Sequence, residues 1–244
     1  MNIDFEFFII IVIARVSNVL SFPEGPPDEL HPLVSVKNLT IKNTCVHMDP
    51  SKSNSHGIDG KQDGISPFHL TVDKKVLKHT ESLILTIRKR PNSTLYPSSF
   101  KGFIVQGRNQ ETEETIGDFI VVDDDLYTKK MHCYDKLGSA VSHKNAELKS
   151  ELTLEWKPPK LDKTTCVKFY ATVLVEKKIF WVKKAINLVQ VEKYSSETNL
   201  QKSNFTCSDV DCDNDCFLNY ATSLKPIKLH FVFLISIVVQ LIYR

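Results

Sequence analysis

An all-β fold, an antiparallel sandwich of two sheets, is what this sequence predicts, and three observations carry the expectation. Apolar and polar residues alternate with a period of two through the middle of the chain, polar turn material recurs between those runs, and no middle stretch sustains a helical period. Packing two sheets face to face leaves each strand one buried and one wet face, and the alternation records that division.

The runs come in order. Phe68-His69-Leu70-Thr71-Val72 and Leu83-Ile84-Leu85-Thr86-Ile87 both read as strands. In Leu152-Thr153-Leu154-Glu155-Trp156 the residues Leu152, Leu154 and Trp156 share one face, while Thr153 and Glu155 point to water. Val167 through Val175 places Val167, Phe169, Ala171, Val173 and Val175 on one unbroken apolar face. Between these runs, residues 50–64 are rich in Ser, Asn, Asp and Gly, Arg90-Pro91-Asn92-Ser93 breaks one strand, and Trp156-Lys157-Pro158-Pro159 ends another. The pattern lapses from Glu192 onward. Residues 22–192 are therefore expected to form the folded domain, and residues 193–222, polar and cysteine-bearing, a stalk.

Both ends are apolar. Met1 to Ser21 contains Phe7-Phe8-Ile9-Ile10-Ile11-Val12-Ile13-Ala14 followed by Val19-Leu20-Ser21, which predicts a cleaved signal peptide over residues 1–21. Asp4, Glu6 and Arg15 are unusual there, and a short uncleaved anchor is the alternative. At the other end, Phe231 to Val239 and Leu241-Ile242-Tyr243 supply ~13 apolar residues, roughly 20 Å of helix against a hydrocarbon core of ~30 Å. Residues 223–244 therefore fit a glycosylphosphatidylinositol attachment signal better than a short transmembrane helix, with Asn219 as the candidate lipid-bearing residue. Either reading tethers the protein to a membrane.

Export fits the rest of the composition. Cys45, Cys133, Cys166, Cys207, Cys212 and Cys216 all follow the signal segment, and an even number in an exported chain predicts disulfides, whose pairing sequence alone leaves open. The sequons at Asn38, Asn92 and Asn204 are expected glycosylation sites. A hydrophobic share of 42% suits a packed core, and a net charge of +2 gives no support for a nucleic-acid partner. Arg88-Lys89-Arg90, Lys177-Lys178 and Lys183-Lys184 read as solvated strand ends, with a glycosaminoglycan patch as the minority reading.

Several segments taken together resemble the Reeler domain. They are Phe100-Lys101-Gly102-Phe103-Ile104-Val105-Gln106-Gly107-Arg108, then Ile116-Gly117-Asp118-Phe119, Cys133, Ala140-Val141-Ser142-His143-Lys144-Asn145, Leu152 to Trp156 with Pro158, and Cys166 to Val173 running on to Phe180-Trp181-Val182. The series covers residues 22–192. The opening Phe22 to Pro27 only approximates the family's start, and residues 51–64 form an added loop. This resemblance implies an immunoglobulin-like sandwich found in matrix, defence and ferric-chelate-reductase-like proteins. It also implies a bond from Cys45 to Cys133 and one from Cys166 to Cys207, leaving Cys212 and Cys216 for each other. The segment from Cys207 to Phe217 resembles the link that in ferric-chelate-reductase-like proteins leads to haem-bearing domains, and electron transfer by this chain alone is not expected.

Enzyme chemistry finds no motif. The chain has no nucleophile elbow, His-Glu-x-x-His pair, phosphate-cradling glycine loop or dinucleotide fingerprint, so neither catalytic residue nor cofactor is expected. His47, Met48 and His56 lie near Cys45 in the sequence, but these and His143 read as structural residues, and no metal site is expected. Asp209, Asp211, Asp213 and Asp215 alternate as in a calcium loop, yet Asn214 and Tyr220 stand where its glycine and bidentate glutamate belong. Asp123-Asp124-Asp125 reads as a loop, with a weak cation contact as the alternative, and Phe100, Phe103, Trp156, Phe169 and Trp181 read as core. The expected function is a tethered, non-enzymatic module that binds an extracellular protein or glycan in adhesion or defence. Its rivals are an accessory in surface iron or redox handling and a freely secreted defence factor.

Overall fold

The structure, a computed structural model, describes residues 23–26, 42–53, 60–91, 93, 98–185, 188–194 and 207. In chain order these form helix α1 (Lys42–His47), a 3-10 turn (Pro50–Ser53) and strands β1 (Phe68–Val72), β2 (Val76–Leu77), β3 (Leu83–Lys89), β4 (Gly102–Asn109) and β5 (Asp118–Ile120). Then follow β6 (Thr128–Cys133), β7 (Lys136–His143), β8 (Glu151–Lys157), β9 (Thr165–Glu176), β10 (Ile179–Ala185) and β11 (Val189–Val191).

Among the described residues, the strands make two sheets. One has the order β1-β3-β8-β5 and the other β2-β11-β9-β4-β7-β6, with β10 also paired to β9. The pairs are antiparallel except β2 with β11, which run parallel, a local departure from the all-antiparallel expectation. β10 and β11 follow the same edge of β9 in succession: Ala185 lies opposite Tyr170, and Val189 opposite Val167. They are in effect one interrupted strand. Its main irregularity falls between Trp181 and Lys184, where Lys183 takes φ 47°. Such a bulge re-aims side chains. The Lys183 N–H donates to the Thr172 hydroxyl at 2.9 Å, and that hydroxyl donates to the Met48 carbonyl at 2.7 Å. Lys183-Lys184 is thus a mid-strand bulge with Lys184 buried, not the solvated strand end expected from sequence.

The inner faces meet as alternation requires. Leu83, Leu85, Ile87, Leu152, Leu154 and Trp156 from the first sheet pack against Phe103, Val105, Val167, Phe169 and Val173 from the second. Phe100, Phe103, Trp156, Phe169 and Trp181 are all buried. Trp156 meets Phe169 edge to face at 5.1 Å, and its indole N–H donates to the Ile116 carbonyl at 3.1 Å, so the polar tip is satisfied inside the core.

Gly117 lies flush against that indole with φ 74°; a Cβ there would stand 2.1 Å from Trp156 Cζ2. Gly117→Ala combines left-handed strain with overpacking and is expected to destabilise the fold by about 2–3 kcal/mol. Chemical denaturation followed by Trp fluorescence measures it, and a loss below about 0.5 kcal/mol would contradict this packing.

β4 is buried on both faces, which a two-layer sandwich alone does not require. Its inner residues Phe103 and Val105 belong to the main core, while Ile104 joins Met131, Ala140 and Tyr170 in a second cluster with Cys45, Met48 and Cys133. α1 covers the outer face of the second sheet there. No sequence period announced this helix, because six residues are too few to show one.

Candidate functional site

Two of the expected cysteine pairs are formed in the structure. Cys45 is bonded to Cys133, 88 residues away, and Cys166 to Cys207, 41 residues away. The first pins α1 to the end of β6. The second holds residue 207 at the start of β9. Cys212, Cys216, the sequons Asn38, Asn92 and Asn204, the candidate lipid site Asn219, His56 and the two terminal segments lie outside the described residues.

Among the described residues, the histidines and acidic runs do not assemble. Among the described residues, no group of three or more His, Cys, Asp or Glu could hold a metal ion. His47 is exposed, while His143 is buried with Nδ1 within 3.2 Å of the Phe103 N–H and 3.1 Å of its carbonyl oxygen. Asp125 turns its carboxylate back to accept from the N–H groups of Tyr127 and Thr128 at 2.8 and 2.6 Å, an Asx-type turn.

A polar cluster missed by sequence reasoning sits beneath α1. The last carbonyls of a helix lack partners within it. Arg108, 3% exposed, supplies them: one terminal nitrogen (Nη2) donates to the carbonyls of Cys45 and Val46, each at 2.9 Å. Gln106 donates to the Cys45 carbonyl at 2.9 Å and accepts from Arg108 at 2.7 Å, so the two side chains brace each other. Outward of them, Glu113 at φ 57° accepts from the Tyr170 hydroxyl at 3.0 Å and faces Arg108 and Lys183 at 3.8 Å each. Burial, followed by the Glu113 charge, pushes the Tyr170 phenol up to about 12, so it stays a donor at every physiological pH. The signal in the sequence was Gln106 and Arg108, two polar residues on the same face of an apolar strand, which need buried partners.

The ends of the sandwich differ. At the upper end, where β9 stops, the loops 121–127 and 144–150 are cross-linked: Asn145 donates to the Leu126 carbonyl at 2.7 Å and the Lys144 N–H to the Tyr127 carbonyl at 2.8 Å. Lys149, buried, sends its ammonium to the carbonyls of Glu147, Lys101 and Asn145 at 2.8, 3.0 and 3.2 Å. It also lies 5.3 Å from the Tyr127 ring centre. Desolvation pulls its pKa down. These bonds fix the loops while Val122, Leu126 and Leu148 remain exposed. At the lower end lie Cys133, Cys166 and the exit of β11 toward Tyr194.

His69, opposite Arg88 on β1 and β3, has its pKa lowered to about 4, first by burial and then by Arg90 and Arg88. Its native value lies below its unfolded value of about 6.5, so between these limits the unfolded chain takes up a proton that the native state refuses. The contribution is complete above pH of about 6.5 and is lost as pH falls toward about 4. Melting temperature is expected to drop over this window, and His69→Gln to flatten the drop. An unchanged slope in the variant would assign it to other groups.

These features define a disulfide-clamped β-sandwich domain with a short helix sealed onto one outer face. Residues 43–197 match the Reeler domain family, and the chain belongs to that family. Over 92 residues it is 37% identical to ferric-chelate reductase 1 of Homo sapiens, covering 37% of this chain and 15% of that protein. Over 120 residues it is 32% identical to a Bombyx mori protein named for defense, covering 48% of this chain and 65% of that one. The matches thus span less than two thirds of either relative. Among solved structures, a crystal structure of the human F-spondin reeler domain shares 19% identity at a TM-score of 0.42, covering 56% of this chain and 96% of that one.

Proposed function

We propose that the chain acts at the extracellular face of the plasma membrane as a tethered, non-enzymatic binding module in adhesion or innate defence. The observation that carries this reading is the upper end: cross-linked loops hold Val122, Leu126 and Leu148 in the solvent, on a scaffold clamped by two disulfides. Recognition commonly resides in loops fixed on a rigid scaffold, and loops ordered beforehand lose less entropy on binding. Disulfides agree with passage through an oxidising compartment. Membership in the Reeler family agrees with the same reading.

The test treats intact cells expressing the full chain with phosphatidylinositol-specific phospholipase C. The released protein then has its C-terminus and disulfides mapped by mass spectrometry, and its binding to matrix-coated and cell-coated surfaces is measured. Release with a lipid remnant at or beside Asn219, together with saturable binding, supports the reading. Bound haem or ferric reduction by the purified chain would replace it with the redox alternative.

A further inference from the structure

On the outer face of the second sheet, two lysine ammonium groups lie over one aromatic ring. Lys168 of β9 and Lys183 of β10 place Nζ 5.5 and 4.8 Å from the centre of the Tyr170 ring. The bulge aims Lys183 there, with φ 47° and the backbone N–H held by Thr172. Its side chain keeps 32% of its surface in solvent, and Glu113 Oε2, which faces Nζ, stands 3.8 Å away, beyond hydrogen-bond reach. Lys149 is the opposite case, 3% exposed with its ammonium donating to three carbonyls. Around Lys183, positive charge is in surplus: among the described residues, Arg108, Lys168 and its own ammonium share the carboxylate of Glu113. Other charged groups nearby are engaged or apart. Glu111 pairs with Lys163 at 2.7 Å, Glu114 accepts from the Thr112 hydroxyl, and Asp49 accepts from the Ser51 N–H and hydroxyl. Lys184 is buried with contacts of its own, and His47 is exposed on α1. Burial, followed by the Arg108 charge, pulls the Lys183 amine below an ordinary lysine; Glu113 partly restores it and Lys168 lowers it again. More of this amine is therefore neutral and nucleophilic at neutral pH than of a fully exposed lysine.

We infer that Lys183 captures a small aldehyde bearing a carboxylate as a reversible imine, with Lys168 holding the acid group. The ammonium first gives a proton to water. The neutral nitrogen then adds to the carbonyl carbon, forming a C–N bond, while one amine hydrogen is exchanged for a proton on the carbonyl oxygen. That oxygen departs as water with the second amine hydrogen, leaving a C=N bond. No electrons are gained or lost, so neither oxidant nor reductant is needed, and water reverses the step. Glu113 Oε2 faces the same nitrogen and balances the imine when it is protonated. An acid-bearing aldehyde is preferred to a neutral one because its carboxylate meets the surplus charge of Lys168, with Arg108 behind it. Arg108 itself is spent on the α1 carbonyls and buried, so it acts on the ligand only through its field. Lys168 lies opposite Arg108 in the β4–β9 ladder, toward the lower end of the sandwich and away from loops 121–127 and 144–150. Carbonyl capture is thus separate from recognition by those loops.

The test incubates the full-length chain, purified in mild detergent, with succinic semialdehyde or with butanal, its neutral counterpart of equal chain length. Cyanoborohydride traps the imine, and peptide mapping by mass spectrometry reads each lysine at low total labelling. At about pH 7, Lys183 is expected to carry the semialdehyde adduct at least about fivefold ahead of the median lysine, with Lys149 among the least labelled. Labelling of Lys183 should also reach its plateau at lower pH than that of the exposed lysines. The preference for semialdehyde over butanal should be greater at Lys183 than elsewhere, and should fall at least about threefold between about 50 and about 500 mM salt. Lys168→Gln should lower it by a similar factor. Because this preference is a ratio taken at one amine, a change in the basicity of that amine alone leaves it unmoved. Lys183 at or below the median lysine, a preference there no greater than elsewhere, or a preference that neither salt nor Lys168→Gln reduces overturns the inference. The salt series decides alone if Lys168→Gln fails to fold. None of these failures touches the binding-module reading, which is measured on matrix-coated and cell-coated surfaces without either aldehyde.

Discussion

Serine at both Cys45 and Cys133 is expected to lower the stability of the folded chain by about 4–5 kcal/mol, the largest effect of any change considered. The bond closes a span of 88 residues, and once the link is gone the unfolded chain regains the freedom of that long loop, which folding must then give up. A second loss is local. α1 is six residues long, far below the length at which a helix holds alone, and the bond fixes it directly to the sheet. Released, it would uncover Ile104, Met131, Ala140 and Tyr170. Urea denaturation should show the loss in midpoint, and hydrogen exchange should show amides 44–48 opening first. A global loss under about 1 kcal/mol with α1 still protected would mean that packing, not the bond, holds the helix.

Arg108→Met is expected to cost about 3–4 kcal/mol, because truncation leaves the Cys45 and Val46 carbonyls and the Gln106 amide oxygen buried without the donor they share. Arg108→Lys should recover only part. An ammonium on a flexible stem cannot reproduce the planar fork that reaches two carbonyls and Gln106 together. Both the guanidinium and the disulfide act on the same helix, so combining Arg108→Met with Cys45→Ser and Cys133→Ser should cost less than the separate losses added together. Strict additivity in that cycle would show that they stabilise different parts of the molecule. Equal stability of the methionine and wild-type chains would remove Arg108 from this role.

The strands most legible in sequence were those with one wet face. Leu152 to Trp156 alternates cleanly because Thr153 and Glu155 do reach solvent, whereas Gly102 to Asn109 is buried on both sides and shows no such alternation. Its second burial depends on α1, whose stability comes from a distant cysteine and a distant arginine and so leaves no local trace. Lys183-Lys184 misled for a related reason: charge suggests water, but a left-handed residue at a bulge turned Lys184 inward. The cysteine pairs were legible only through the resemblance to the Reeler domain. The cluster of Gln106, Arg108, Glu113, Tyr170 and Lys183 was not legible as a unit, since β4, the turn after it, β9 and β10 each contribute part of it. The parallel β2 pairing is two residues long and carries no period of its own.

The Cys166–Cys207 bond also decides how the domain would bear a mechanical load. A pull on the chain beyond residue 207 reaches β9 directly through that bond, without first stripping β11 from its edge. β9 is flanked by β4 along most of its length and by β10 and β11 on the other side. Tension along its axis therefore strains these ladders in shear, many hydrogen bonds at once, where a pull on β11 would open its few bonds one after another. The staple turns the three-residue β11 from the weakest link under traction into a bystander.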